Sequence, residues 1–442
     1  MQKIVIIGNG ISGVTAARHI RKKSDAELLI ISDETPYFFS RTALMYVFMG
    51  HMRKQDIKPY EDWFWKKNRI DLLQDYVSGI KASDSELSLQ SGKKIKFDKL
   101  IIATGSKPNK FGWPGQDLKG VQGLYSMQDL DNLTKRADEI QRAVIVGGGL
   151  IGVELAEMLV SRGIEVVFLV RENRFWGSVL PVEEGNLISN HIQKHHIDLR
   201  FNTELDQIFG DENGVVNEII TKDGERISCQ FVGLTAGVSP NVEWLKNSAI
   251  NIDRGIVVNQ YFETNLPNIY AIGDCAQFQV PVEGRKNIEQ VWYTGRIMGE
   301  TLAATLTGNR KAYQPGPWFN SAKFFDIEYQ TYGNVNANRA ANELDFYWQH
   351  PTKEIAIHLV WEKSNEIFIG INVFGLRMRH ELFNQWLKTK VHIDEVMANL
   401  RIANFDPEFY KRYENEILDS FNLQTGKNIR LLKQKWWQKV LG

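Results

Sequence analysis

The chain has 442 residues, with 53 basic and 53 acidic side chains, 43% hydrophobic and 24% charged residues. That length suits roughly two to four domains, and the composition excludes a disordered or collagen-like chain. The neutral balance argues against a nucleic-acid binder that rests on net positive charge.

Taken in chain order, the first strand, Lys3 to Ile7, runs directly into Gly8-Asn9-Gly10-Ile11-Ser12-Gly13 and then a helical stretch, Val14 to Ile20. In this GxGxxG the first Gly permits the tight turn, the second lets backbone approach a pyrophosphate, and the third lets helix and strand pack closely. The helix start presents free N–H groups to the anion. A second strand, Leu28 to Ile31, ends at Asp33 and Glu34, where an acid would bind a ribose diol. The arrangement returns at Ala143 to Val146, followed by Gly147-Gly148-Gly149-Leu150-Ile151-Gly152 and a helix carrying Glu154. Two such units imply two dinucleotides, most simply FAD and a nicotinamide nucleotide, NAD(P)H.

Two further segments are a strand ending in Ala103-Thr104-Gly105, and Thr264 to Ala276, with the pattern T-x-x-P-x-hydrophobic-Y-A-x-G-D. With the two glycine motifs, in this order, they resemble the pyridine nucleotide-disulfide oxidoreductase superfamily of flavoproteins that contains glutathione reductase. The resemblance implies an α/β fold: two Rossmann-like domains, for FAD and NAD(P), plus a C-terminal α+β interface domain. It gives FAD-domain segments over 1–112 and 248–313, an NAD(P)H domain over 113–247, an interface domain over 314–424 and a tail over 425–442. It also implies that Asp274, beside Gly273, hydrogen-bonds the flavin ribityl chain. Val77 and Gly237 complete the expected cofactor contacts.

The disulfide-reducing members carry a CxxxxC pair beside the flavin, and the stretch in that place, Pro36 to Tyr46, has no cysteine. Only Cys229 and Cys275 occur; they form no CxxC or CxxxxC pair, which excludes a Cys-pair zinc site and a local redox disulfide. Cys229 reads as structural, and Cys275 as a small packing residue beside the flavin-binding acid. Pro36 to Leu44 instead resembles the P-Y-x-R-x-x-L pattern of the branch holding apoptosis-inducing factor, oxygenase ferredoxin reductases, rubredoxin reductases and the flavin part of nitrite reductase. Arg41 matches that branch's Arg near the flavin and pyrophosphate, and Thr42 or Ala43 takes the place of the thiol. A Lys usually follows five residues after the Arg; here Tyr46 stands there. Trp292 to Glu300 resembles a G-R-x-x-G-E helix start whose positive dipole end points at the flavin pyrimidine edge. Trp292 fits either a stack near the isoalloxazine or nicotinamide ring, or a packed core position. Pro317 to Ser321 resembles the aromatic segment that opens the third domain of the branch and walls the flavin.

Nucleotide selectivity is read at the end of the second unit's second strand, at Arg171 and Glu172. Arg171 leans toward NADPH, while Glu172 would repel a 2′-phosphate. Glu154, one turn into its helix, corresponds to an acid that orients the nicotinamide in the family; a satisfied helix-start acid is the alternative. Ile355 to Trp361 and Ile367 to Val373 read as antiparallel strands, and Glu381 to Leu387 and Ile393 to Leu400 as helices. Leu376 to Glu381 is basic, either a solvated face or a partner surface. The tail 427–442 carries Lys427, Arg430, Lys433, Lys435 and Lys439, with Ile429, Leu432, Trp436 and Val440 at helical spacing. It reads as a basic amphipathic helix that docks on its own fold or a subunit, on a membrane surface or on an acidic partner. The nine His residues show no ligand spacing, and no metal is expected.

The expectation is an FAD-dependent NAD(P)H oxidoreductase that takes hydride from the nicotinamide and passes electrons to a non-thiol acceptor, such as a rubredoxin- or ferredoxin-type carrier. Alternatives are a peripheral quinone-reducing NADH dehydrogenase, motivated by the tail, and a redox-sensing flavoprotein like apoptosis-inducing factor. A homodimer is compatible with the third domain. No apolar run approaches the roughly 20 residues of a membrane-spanning helix, and MQKIVIIGNG lacks the parts of a signal peptide, so a cytoplasmic location is expected.

Overall fold

The computed structural model describes residues 1–405 and 411–432. Val-, Ile- and Leu-rich segments form two parallel sheets, as runs buried on both faces do. In the first, the strand order is Ile269–Ala271, Lys99–Ile102, Lys3–Ile7, Glu27–Ser32, Ile70–Gln74, all parallel. The strand Lys3–Ile7 therefore has its sequence-next strand on one side and a later one on the other. That reversal opens a crevice at the strands' carboxyl ends, where ligands of open α/β sheets bind.

The second sheet repeats the plan, with strands ordered Asp198–Phe201, Glu165–Val170, Arg142–Val146, Phe231–Leu234 and Val121–Gln122, all parallel. The reversal falls beside Arg142–Val146. Both passages of the chain between the two sheets run together as one antiparallel pair, Ser106–Pro108 against Val238–Pro240.

The C-terminal third is a five-stranded antiparallel sheet ordered Phe319–Phe324, Ile327–Gly333, Phe368–Phe374, Ala356–Glu362, Glu343–Gln349. Helices His380–Thr389, Ile393–Ala398, Leu400–Ala403 and Glu414–Thr425 accompany it. The apolar core under one face of the second parallel sheet continues into this third unit through Phe324, Phe325, Ile327, Tyr329 and Phe374. A charged cluster crosses the same boundary. Glu184, wholly buried on the helix Val182–Lys194, accepts from Asn372 Nδ2 at 2.7 Å and lies 2.8 Å from His358 Nδ1, whose Nε2 meets Asp345 at 3.1 Å.

Residues 433–442, with Lys433, Lys435, Trp436, Lys439 and Val440 of the expected tail helix, lie outside the described residues. Residues 427–432 follow the left-handed cap Gly426 and are not helical. Ile429 and Leu431 pack against the third unit's core, and Lys427 bridges Glu366 and Asp394 at 2.6 Å each. The basic face at 376–381 is neutralised at Arg377, which pairs with Glu328, and Arg379 is held by donating to Asn404 O at 3.1 Å. Among the described residues, no helix is long and apolar enough to cross a membrane.

Candidate functional site

A cavity of about 1230 Å³ lies at the first sheet's reversal point and extends to the start of the helix Leu150–Val160. Its floor is the first glycine loop. Gly8 has φ +108°, and a Cβ there would lie 2.1 Å from Ala103 O; a Cβ on Gly13 would lie 2.2 Å from Gly8 O. Both glycines let strand, loop and helix close up. Gly10 differs, because a Cβ there meets nothing within 4 Å, so that space is open to a ligand. The helix Ile11–Arg21 starts at Gly10 with no side-chain cap, leaving its first N–H groups to an anion. Asn9 braces the next loop by donating to Thr35 O at 2.8 Å and Tyr37 O at 2.9 Å.

That loop carries Asp33 and Glu34, both at the cavity wall. Asp33 is exposed. The Glu34 carboxylate is engaged within the protein: it accepts from Arg41 Nη1 at 3.0 Å and Nη2 at 2.5 Å, and from Met127 N at 2.9 Å. Arg41 lies between the rings of Phe39 and Tyr125, 5.1 and 4.5 Å from their centroids, and also donates to Tyr125 O. It is a fixed cation at the cavity. Thr42 and Val77 line the wall, with Ala103, Thr104 and Gly105 opposite.

Gly273 and Asp274 close the far side. A Cβ on Gly273 would lie 2.4 Å from Ser12 Oγ, and one on Gly299 would lie 2.6 Å from Ser12 O. Small residues thus let the helix Trp292–Leu306 lie directly on the helix Ile11–Arg21. Burial pushes the Asp274 carboxyl up, against a 3.0 Å hydrogen bond from Ser106 Oγ. Ser106 Oγ in turn accepts from Gln290 Nε2 at 2.8 Å, and its backbone N donates to the Tyr125 hydroxyl at 3.0 Å. The helix Trp292–Leu306 also starts without a side-chain cap. Trp292 is 43% exposed at the cavity, which excludes the packed-core alternative. Of the aromatic segment 317–321, Phe319 lines the cavity and stacks on Tyr293 at 3.7 Å, whereas Trp318 stacks with Arg285.

The second loop has the same construction. Gly147 has φ +121°, with a Cβ position 2.7 Å from Thr235 C, and a Cβ on Gly152 would lie 2.5 Å from Gly147 O. Gly149 is open and begins the uncapped helix Leu150–Val160. Leu150, Ile151 and Glu154 reach the cavity; Gly13, Gly147, Gly149, Gly152, Arg171, Glu172 and Gly237 lie outside its lining. Arg171 is 72% exposed and 3.2 Å from Glu172, and Gly237 adopts φ +86° beside the chain crossing.

Glu154 is half-buried at the wall. Burial, reinforced by Glu157, pushes its carboxyl up to about 7, with Lys323 opposing. Lys323 stands on the third unit's first strand, binds Glu157 Oε1 at 2.7 Å, and lies 5.9 Å from the Tyr46 ring centroid. Where the sequence departs from the branch's pattern at Tyr46, a lysine from nearly three hundred residues later brings a positive charge alongside. Both cysteines are buried free thiols. Burial pushes Cys275 up to about 11 and Cys229 up to about 12, so neither is a thiolate near neutrality. Asn9, Ser106, Tyr125 and Lys323 had escaped the sequence reading. Two of them had a positional signal: Asn9 inside the first glycine motif, and Ser106 as the residue after the ATG turn.

The chain belongs to the pyridine nucleotide-disulphide oxidoreductase family, matched over residues 2–299, and to its ferredoxin and rubredoxin reductase branch. It is 31% identical over 278 residues to a rubredoxin-NAD(+) reductase of Pseudomonas putida, covering 62% of this chain and 71% of that protein. It is 30% identical over 380 residues to an NAD(P)H nitrite reductase of Bacillus subtilis, covering 85% of this chain and 46% of the relative. The chain spans about half the length of that protein and of an assimilatory nitrate reductase electron transfer subunit from the same organism. Among solved structures, an NAD-dependent persulfide reductase from A. fulgidus shares the fold with TM-score 0.85 at 24% identity, over 98% of this chain and 86% of that one. FAD and NAD(P)H are the family's cofactors. The residues fit both: two uncapped helix starts, each with an open Gly position, and a buried carboxyl at a cavity of dinucleotide size.

Proposed function

We propose that this chain is an FAD-dependent NAD(P)H oxidoreductase that delivers electrons to a non-thiol acceptor of the rubredoxin or ferredoxin type. A bound FAD would supply the redox chemistry, as a hydride acceptor that can release electrons singly or in pairs. The chain's residues supply binding, orientation and electrostatics. The N–H groups at Gly10, Ile11 and Ser12 hold the FAD pyrophosphate, with Asp33 at the ribose. Asp274, steadied by Ser106, would take the ribityl hydroxyls, and the uncapped start of Trp292–Leu306 would stabilise negative charge on a bound flavin. Gly149, Leu150 and Ile151 hold the nicotinamide nucleotide's pyrophosphate. Glu154 and Trp292 orient the nicotinamide, and Arg171 and Glu172 bear on its adenosine ribose. Residues 1–112 and 248–313 act as the FAD unit, 113–247 as the NAD(P)H unit and 314–424 as the interface unit. A cytoplasmic location agrees with two cysteines that are both free thiols.

One observation carries this reading: two phosphate cradles of the same construction bear on one cavity that no cysteine lines. Anaerobic stopped-flow on the FAD-loaded protein tests it. NAD(P)H should bleach the flavin absorbance, a reduced carrier protein should form on mixing with rubredoxin or ferredoxin, and Cys275→Ser should leave both rates unchanged. Fast turnover with disulfides, lost in Cys275→Ser, would refute it.

A further inference from the structure

His191 and His195 lie four residues apart on the helix Val182–Lys194 and its cap, so they share one face. Opposite them, Phe325 and Asp326 form the turn between the strands Phe319–Phe324 and Ile327–Gly333. The three side chains converge. His191 Nε2 lies 2.6 Å from Asp326 Oδ1, His195 Nε2 lies 3.4 Å from the same oxygen, and the two Nε2 atoms are 3.2 Å apart. The His195 ring is held by stacking on Phe325, with centroids 4.1 Å apart and planes 10° apart.

Hydrogen bonding alone serves this triangle poorly. One carboxylate oxygen can accept from both rings, but the two N–H groups then point into the same small space. A cation resolves it, because all three atoms would turn lone pairs inward. Tetrahedral coordination at about 2.0–2.1 Å puts ligand atoms about 3.4 Å apart, and two of the three edges already have that length. The third, His191 to Asp326, has to open, and Asp326 can move because it is 78% exposed on a turn. His191 is 5% exposed, so its Nε2 faces Asp326 and His195 from a fixed position. His195 and Asp326 leave the solvent side open for a fourth ligand.

We propose that His191, His195 and Asp326 form a binding site for a divalent transition ion of the zinc class, which clasps the helix Val182–Lys194 to the C-terminal sheet. The clasp acts at one end of Phe319–Phe324, the strand that carries Phe319 to the cavity and Lys323 to Glu157. Its role is structural and does not depend on the redox reading. Two histidines and a carboxylate favour Zn²⁺, Co²⁺ or Ni²⁺ over Mg²⁺ or Ca²⁺.

The test uses the full chain, free of any affinity tag, FAD-loaded and stripped with a chelator. Co²⁺ is titrated and followed by its visible d–d bands, which lie outside the flavin bands once the flavin is reduced, and Zn²⁺ is measured by competition. One equivalent should bind, Zn²⁺ should displace Co²⁺, and Zn²⁺ should raise the Tm by several degrees. His195→Ala and Asp326→Ala should each weaken binding by more than about a hundredfold, since loss of an outer partner alone costs about 10–100-fold. His196→Asn, beside the cluster and suited to that residue's left-handed backbone, should bind like the parent. Failure to saturate at submillimolar ion, or undiminished binding in the His195→Ala/Asp326→Ala double variant, would overturn the proposal. Circular dichroism confirms that the variants are folded.

Discussion

Gly10→Ala and Gly13→Ala separate ligand space from protein space in the first cradle, although the two glycines are three residues apart. A methyl on Gly13 would lie 2.2 Å from Gly8 O and 3.1 Å from the Ile6 side chain. Backbone has to move, and overpacking of that kind costs about 1–3 kcal/mol. A methyl on Gly10 meets no protein atom within 4 Å, and its φ of −73° with ψ of −178° is open to any residue. As a helix N-cap, Gly is better than Ala by no more than about 1 kcal/mol. Gly10→Ala should therefore leave the apoprotein's urea midpoint almost unchanged, while its methyl occupies the space assigned to pyrophosphate. Displacing a phosphate by the width of a methyl sacrifices at least one charge-assisted hydrogen bond, about 1.5–3 kcal/mol, or roughly 10- to 150-fold in FAD affinity. The assays are urea unfolding of both apoproteins and FAD titration by flavin fluorescence. Gly13→Ala should lose stability first, with FAD affinity following. Wild-type FAD affinity in a folded Gly10→Ala protein would refute the placement of the pyrophosphate over that residue.

Glu154 makes a pH-dependent prediction. Its folded-state pKa of about 7 lies above the ordinary 4.5, so the folded protein holds this proton more tightly than the unfolded chain. Its contribution to stability falls as pH rises from about 4.5 to about 7, and Glu154→Gln should stabilise the nucleotide-free protein above pH 7 by at most ~3 kcal/mol, seen in urea unfolding at pH 5 and 8. Lys323→Met should move that transition to higher pH, because Lys323 favours the carboxylate; an unmoved transition would remove Lys323 from the site. His358 loses its contribution in the same direction but over a higher window: although burial opposes the charged ring, hydrogen bonds to Asp345 and Glu184 outweigh it and raise the pKa to about 9. Its stabilisation is complete below about 6.5 and is lost as pH rises through 9, a decline that His358→Gln should abolish. Arg171→Ala should lower kcat/KM for NADPH about tenfold, the loss of one charged hydrogen bond, and spare NADH; equal effects on both would discount a phosphate contact.

The parts legible in the sequence were those in which one short segment performs the whole task. A strand, three glycines and a helix start need no distant partner, so both cradles could be read directly. The T-x-x-P-x-hydrophobic-Y-A-x-G-D run likewise carries its own turn, with Asp274 held after Gly273. Residues acting through long-range pairing left no such mark. Glu34 looks like a ribose acid, yet its carboxylate serves Arg41 and Met127 N. The charge beside Tyr46 arrives with Lys323, and Trp318 turns to Arg285 while its neighbour Phe319 meets the cavity. The convergence of His191 and His195 on Asp326 depends on how the third unit seats on the second, which no local pattern encodes. The strands expected at 355–361 and 367–373 appear one residue later, at Ala356–Glu362 and Phe368–Phe374. That is a boundary shift of the size that separates a pattern from a hydrogen-bonded ladder.

The pairing of Ile269–Ala271 with Lys99–Ile102 also sets a timetable for synthesis. On the order of 170 residues separate the two strands, which at about 5–20 residues per second is roughly 10–30 s of translation. During that interval one flank of Lys99–Ile102 has no neighbour, while all five strands of the intervening sheet are synthesised. The inserted unit can therefore fold before the unit that encloses it, and the nascent first sheet waits with an open edge, the kind that recruits stray strands. Lys99–Ile102 changes from an edge strand to an interior one only when Ile269–Ala271 emerges to pair with it.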